Sequence, residues 1–381
     1  MGTRVQVTAM RGVVAGTTVA LSPAMARRSA VDELVQLFGW RDAAHHDRRC
    51  AGLERAHVTA VAAKLDAKLD RATRALLGGL ANDRYFAILR GAETFHAAYY
   101  GAAGELAPRV ARWIAVETAA PGGETRLDGR IASASLDRYV HARGGRVVGI
   151  ELLPWIPTTQ IALELGGKLA DRARLPVRKH ETPSGAEWAL AVDRLERAIE
   201  LVRAVSPHAS DVIARSVQLA CCRTSPTDAR LVIAGDATTP GVLHVVNAHL
   251  PGTTHVAIAT ALVREAVHQV LYRWELHHAL LASVEDVQVG SPWTGRALDL
   301  YGFVHACFAW YAVASLWSLR GAPRAEVATW LDDAEAGFAR RPLDGLGELA
   351  KHLPPPIADA IAAMTRDVVP AAMRRTNGGR S

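Results

Sequence analysis

Cysteine is scarce, with four residues in 381, two of them adjacent (Cys221 and Cys222) and none in a CxxC pair. That excludes a disulfide framework and a zinc knuckle, and it fits a reducing, cytoplasmic setting. Runs of like charge are missing too: 44 Lys and Arg are scattered among 38 Asp and Glu for a net charge of +6, with no block of five or more of one sign. No nucleic-acid motif accompanies that mild excess, so nucleic-acid binding is not expected, while a basic groove for an acidic peptide is compatible with it. No segment supplies the ~20 uninterrupted apolar residues of a membrane span. Residues 298–319 come nearest, but they hold His305 and aromatics suited to a buried helix, and no membrane is expected. Residues 12–21 follow Arg4 and Arg11 and imitate a secretory signal faintly; their threonines dilute the apolar core that export needs. Internal repeats and low-complexity tracts are absent.

What is present is globular material. Half the residues are apolar and 22% are charged, enough for a buried core and unlike a disordered chain. The length suggests two or three domains. From residue 30 to about residue 101, apolar side chains recur at three and four positions, as in Val31, Leu34, Val35 and Phe38, which lays them on one helical face. Pro121-Gly122-Gly123-Glu124 is the clearest break in the first half, and Gly144-Gly145 is another, followed by an apolar strand from Arg146. The division is accordingly placed near residue 125, with an N-terminal helical region over 1–125 and a second domain over 126–381.

Helices are expected over residues 187–205, stopped by Ser206-Pro207, and over 209–220. The period then changes. Residues 230–234 and 242–246 are short and rich in aliphatic residues, and the turn composition between them predicts a β-hairpin. One long helix over 255–283 and a second buried helix over 298–319 follow, then helices over 323–340 and 356–368. The fold class expected is mainly α, with a small β-hairpin before a buried motif helix.

The motif is Arg264-Glu265-Ala266-Val267-His268. In an HExxH helix, two histidines four apart share one face and bind a metal, and the glutamate beside the first polarises a water or orients a ligand. Here the first histidine is Arg264, which stays protonated and has no lone pair for a cation, so the zincin site cannot form. Glu265 and His268, three apart, also read as a hydrogen-bonded buried pair.

Downstream, Ser291-Pro292-Trp293-Thr294-Gly295-Arg296 is followed by Tyr301-Gly302-Phe303-Val304-His305. In that order of hairpin, motif helix, Ser-Pro-Trp turn and Gly-x-x-His helix, the chain resembles the HExxH-motif family of peptide-modification proteins, from about residue 187 to about residue 353. The resemblance implies an iron(II)- and 2-oxoglutarate-dependent hydroxylase of a ribosomally made peptide. It implies that His268 stands for the motif's second histidine, Glu265 for its glutamate and His305 for the downstream histidine.

Glu265 and His268 lie one helical turn apart, though about 60° from perfect alignment. With His305 they form the two-histidine, one-carboxylate set that holds non-haem iron. Glu265 and Arg264 are thus the candidate catalytic residues, and Glu265, His268 and His305 the candidate metal ligands. Arg296 is the first choice to grip a 2-oxoglutarate carboxylate, with Arg264 and Arg273 as substitutes; a surface salt bridge is the plainer role. The other reading is a metal-free relative that lost catalysis and binds a peptide or supports a partner. His45, His46, His244, His249, His255, His277 and His278 are expected to be ordinary polar positions, Cys307 to be packing, and Trp293 to border a pocket.

Overall fold

A computed structural model describes residues 23–42, 44–133, 136, 138–164, 180–281 and 287–378; residues 12–21, with their faint likeness to a signal, lie outside these. The chain runs α1 (Pro23–Phe38), α2 (His46–Lys68), α3 (Arg71–Gly78), α4 (Asn82–Arg90), α5 (Ala92–Tyr100), α6 (Ala103–Glu117), β1 (Gly129–Ala132), β2 (Arg138–Arg143), β3 (Arg146–Leu152) and β4 (Ala162–Glu164). It continues through α7 (Gly185–Val205), α8 (Pro207–Ser216), β5 (Leu219–Arg223), β6 (Val232–Gly235), β7 (Val242–Val246), α9 (His255–Trp274), β8 (Gln288–Gly290) and β9 (Ala297–Asp299). It closes with α10 (Leu300–Trp317), α11 (Arg324–Ala339), a 3-10 segment (Asp344–His352) and α12 (Pro355–Gly378). The fold is mainly α.

Local chemistry explains most boundaries. Ser184 opens α7 with a reciprocal capping box to Glu187, and Ser206 and Pro207 stop α7 and start α8, Ser206 accepting from the Ala209 N–H. Asp299 caps α10 by accepting from the Gly302 N–H. The expected helix over 209–220 is corrected: α8 stops at Ser216, and Leu219 and Ala220 pair in parallel with Ala162 and Leu163 of β4 and with Val242 and Leu243 of β7. Strands β5 and β7 are buried on both faces, and such strands read as plain apolar runs that periodicity does not separate from a helix. The helix expected over 255–283 ends at Trp274, where Glu275 caps it and Leu276 and His277 form a turn.

Strands β6 and β7 pair antiparallel, Val232 opposite Val246 and Gly235 opposite Leu243. They are two strands of a four-stranded mixed sheet ordered β4-β5-β7-β6, not an isolated hairpin. A separate antiparallel meander, β1-β2-β3, turns at Gly144 and Gly145, whose positive φ angles suit glycine.

The larger core surrounds α9 and α10 and takes in α1, α7, α8, α11 and α12; Phe38 of α1 meets Phe308 of α10 edge-on. A second core joins α2 to α6 around Val61, Leu65, Ile88, Phe95 and Leu106. The helices before residue 125 therefore divide between two cores, with α1 packed among the C-terminal helices. Each fully buried Leu or Phe contributes about 1.5–3 kcal/mol. Among the described residues α10 is the one helix long and apolar enough to cross a membrane, and 83% of it is buried inside the protein, where it forms the spine of the larger core.

Candidate functional site

Helices α9 and α10 pack antiparallel, and their polar contacts follow a single register. Trp317 Nε1 donates to Thr260 Oγ1 at 3.1 Å, the Arg264 guanidinium lies 5.0 Å from the centre of the Trp310 ring, and His268 Nδ1 lies 2.9 Å from His305 Nδ1. Beyond them Tyr301 donates to Glu275. Residues 260, 264, 268 and 275 recur at helical spacing, so one face of α9 meets α10 along its whole length.

At the centre is a hydrogen-bonded chain. Glu275 Oε1 accepts from the Tyr301 hydroxyl at 3.0 Å and lies 2.8 Å from His305 Nε2. With that oxygen accepting, His305 carries its proton on Nε2, and its Nδ1 accepts from His268 Nδ1–H. His268 Nε2 is left with its lone pair and no partner among the described residues. The His268 and His305 rings lie 13° from parallel with centroids 5.2 Å apart, and Tyr272 sits 5.2 Å from His305.

Burial sets the protonation of the group. It pushes His305 down to about 3 and Glu275 up to about 7 against the lowering effect of the Tyr301 hydroxyl. Burial, then the neighbouring His305 and the Arg264 cation, hold His268 well below the ordinary imidazole range. Burial shifts each group towards its neutral form.

Two of the expected residues are elsewhere. Glu265 is on the adjacent stripe of α9 with Gln269 and Arg273, and that stripe faces the sheet and its connections. Glu265 Oε2 accepts from the Gly235 N–H at 3.0 Å, Gln269 Oε1 accepts from the Gly241 N–H, and Arg273 donates to the carbonyls of Arg215 and Ser216. Burial raises Glu265 to about 7, with Arg264 and the Gly235 N–H opposing. A single residue step turns a helix by about 100°, which is why Arg264 faces α10 while Glu265 faces β6. The set Glu265, His268 and His305 is corrected accordingly: the histidines meet, and the carboxylate is committed to the sheet. These residues do not fit a three-ligand iron(II) site. Arg296 is exposed, and its side chain makes no hydrogen bond or ion pair among the described residues.

Trp293 docks on α11, where Nε1 donates to the Ala334 carbonyl and the ring stacks 9° from parallel with Trp310. It packs where Gly337 leaves room for it. Cys307 is buried among apolar side chains and its thiol is pushed up by desolvation, so it is packing.

Glu275 and Tyr301 escaped the sequence reading. Their signals were spacings: Glu275 is seven residues after His268, two helical turns on the same face, and Tyr301 is four before His305. Residues distant in sequence meet elsewhere as well. On α2 and α8, His46, Cys50 and Asp211 bring three ligand-type atoms within 4.8 Å of one another. Of these, Asp211 lines a cleft of about 1020 Å³ whose walls also include Arg90, Arg203, Arg215, Glu54 and Trp155. There Arg90 pairs with Glu54 at 2.7 Å and Arg215 with Asp211 at 2.7 Å. Comparison of the chain with protein-family models and with curated proteins gives no match.

Proposed function

We propose that this chain is a peptide-binding relative of the HExxH-motif peptide-modification proteins, in which the motif face of α9 holds no metal and a hydrogen-bonded relay takes the place of the metal centre. One observation carries this reading: Arg264 occupies the His268 and His305 side of α9, against Trp310, while Glu265 is turned away to the Gly235 N–H. A fixed cation one helical turn from His268 opposes a dication there, and the carboxylate that would offset both is bonded to the sheet.

The cleft beside α8 supports the binding half of the proposal. Its three arginines each carry five donors, more than their contacts with Glu54, Asp211, Asp47 and the Thr158 carbonyl use, and Trp155 adds an aromatic wall. Such a lining suits an extended acidic peptide. Fluorescence anisotropy with labelled Asp/Glu-rich and Lys/Arg-rich ten-residue peptides tests it. The acidic peptide binds and loses affinity with added salt and in Arg90→Ala and Arg203→Ala. Equal affinity for both peptides, or none for either, refutes it.

A second reading, peptide hydroxylation with iron(II) and 2-oxoglutarate, takes its support from the 2.9 Å approach of His268 Nδ1 to His305 Nδ1 and requires a third ligand in place of Glu265, which is bonded to the Gly235 N–H. Turnover of a peptide with consumption of 2-oxoglutarate, lost in His305→Ala, would establish it in place of the first.

A further inference from the structure

We infer that His46, Cys50, His208 and Asp211 form a zinc(II) site that ties α2 to α8 at the edge of the cleft. The site is separate from the His268 and His305 relay and from the motif that carries the family resemblance.

The ligands come in two helical pairs. His46 and Cys50 are four apart on α2 and share one face; His208 and Asp211 are three apart on α8 and share one face. Across the interface, His46 Nε2 lies 3.0 Å from Asp211 Oδ2 and 3.6 Å from Cys50 Sγ. The three ligand atoms all lie within 4.8 Å of one another, and the His46 and His208 rings are 4.7 Å apart.

Bonds of about 2.3 Å to sulfur and about 2.0–2.1 Å to nitrogen, at tetrahedral angles, place sulfur and nitrogen about 3.6 Å apart and nitrogen and oxygen about 3.3 Å apart. The His46–Cys50 edge matches at 3.6 Å, the His46–Asp211 edge is shorter at 3.0 Å, and the Cys50–Asp211 edge lies within 4.8 Å. His208 stands beside that group of three and has no hydrogen-bond partner among the described residues, so its ring is free to turn in as the fourth ligand on binding.

Charge and donor type point to the same ion. One thiolate and one carboxylate neutralise a dication, so the partly buried assembly carries no net charge. Thiolate with imidazole suits zinc, whereas magnesium and calcium take oxygen ligands. Arg215 Nε, 2.7 Å from Asp211 Oδ2, holds the carboxylate from outside and also reaches Asp47 at 3.2 Å, which is how outer hydrogen bonds orient a metal ligand. On binding, the Cys50 proton leaves to solvent and the sulfur forms its bond as thiolate.

The full chain, purified without an affinity tag and stripped with a chelator, is titrated with cobalt(II) and then zinc(II). One equivalent of cobalt gives a thiolate-to-cobalt charge-transfer band and the visible absorption of a tetrahedral centre, and zinc bleaches both. Cys50→Ser loses the charge-transfer band, Asp211→Asn and His208→Ala each bind at least tenfold more weakly, and His268→Ala binds as the parent does. Circular dichroism establishes which variants fold, and Asp211→Asn, at a half-buried position, decides the matter should Cys50→Ser fail to fold. No cobalt spectrum in the parent, or an unchanged spectrum in folded Cys50→Ser or Asp211→Asn, overturns the site. Loss of metal in His268→Ala with retention in Asp211→Asn overturns it in favour of the α9–α10 pair.

Discussion

His305 stands between Glu275 and His268, with Nε2 2.8 Å from the carboxylate and Nδ1 2.9 Å from the second imidazole. The carboxylate fixes the tautomer of the first ring, and the first ring fixes that of the second. The same arrangement that would orient a metal-binding histidine here ends on another histidine, whose Nδ1 is taken by His305 and whose Nε2 has no partner among the described residues.

Restoring the motif tests what Arg264 does. On a Cys50→Ser background, which takes the thiolate out of the α2–α8 cluster, Arg264→His puts a third imidazole on the face of His268 and His305 and removes the cation. Cobalt(II) affinity measured by absorption titration rises at least about tenfold. Equal affinity in both proteins would show that the face does not assemble a site even when complete.

Glu265 makes stability depend on pH. Its folded pKa of about 7 lies above the ordinary 4.5, so the folded state holds the proton longer than the unfolded one. Stability is full below pH 4.5 and falls as pH rises to about 7; Glu275 acts in the same direction. Glu265→Gln keeps an acceptor for the Gly235 N–H and removes its share of that fall, on the order of 1–3 kcal/mol between pH 5 and pH 8. Urea unfolding at the two pH values measures it, and a parallel slope in parent and variant contradicts the assignment.

His57 works the other way. Both ring nitrogens are buried without a partner among the described residues, the ring stacks on Phe95, and burial, helped by Arg273 and Arg90, depresses it to about 3. Its neutral form is favoured, so its contribution is complete above pH 6.5 and declines as pH falls towards 3. His57→Leu removes two unsatisfied nitrogens and gains about 1 kcal/mol at pH 7 and more at pH 5. Thermal melts at both values should show the larger gain in acid; a loss at both would mean the ring has a polar role.

Gly337 is required by Trp293. A Cβ at residue 337 would lie 2.0 Å from Trp293 Cδ1, and the indole is held there by its bond to the Ala334 carbonyl. Gly337→Ala expels the ring and costs about 1–3 kcal/mol, with a red shift in tryptophan emission. Parent-like emission and melting temperature would show that α11 and the Ser291 turn yield without strain.

Much of this molecule was determined locally. The amphipathic spacing of Val31, Leu34 and Phe38, the Ser206-Pro207 stop between α7 and α8, the turn at Gly144-Gly145 and the apolar run that becomes α10 each act within a few residues, and the mainly α architecture follows from them. The proximity of His268 and His305 was expected from the family order and is present in the fold. Tertiary structure alone decided the rest. Leu219 and Ala220 became strand because β4 and β7 flank them, and α9 ended at Trp274 with Glu275 as its cap. Glu265 turned towards Gly235 because neighbouring helical positions diverge by about 100° and a backbone N–H awaited it there. His46 and Asp211 are 165 positions apart, and no spacing relates them. Their meeting depends on how α2 packs beside α8, which side-chain complementarity across the whole interface sets and short-range periodicity does not encode.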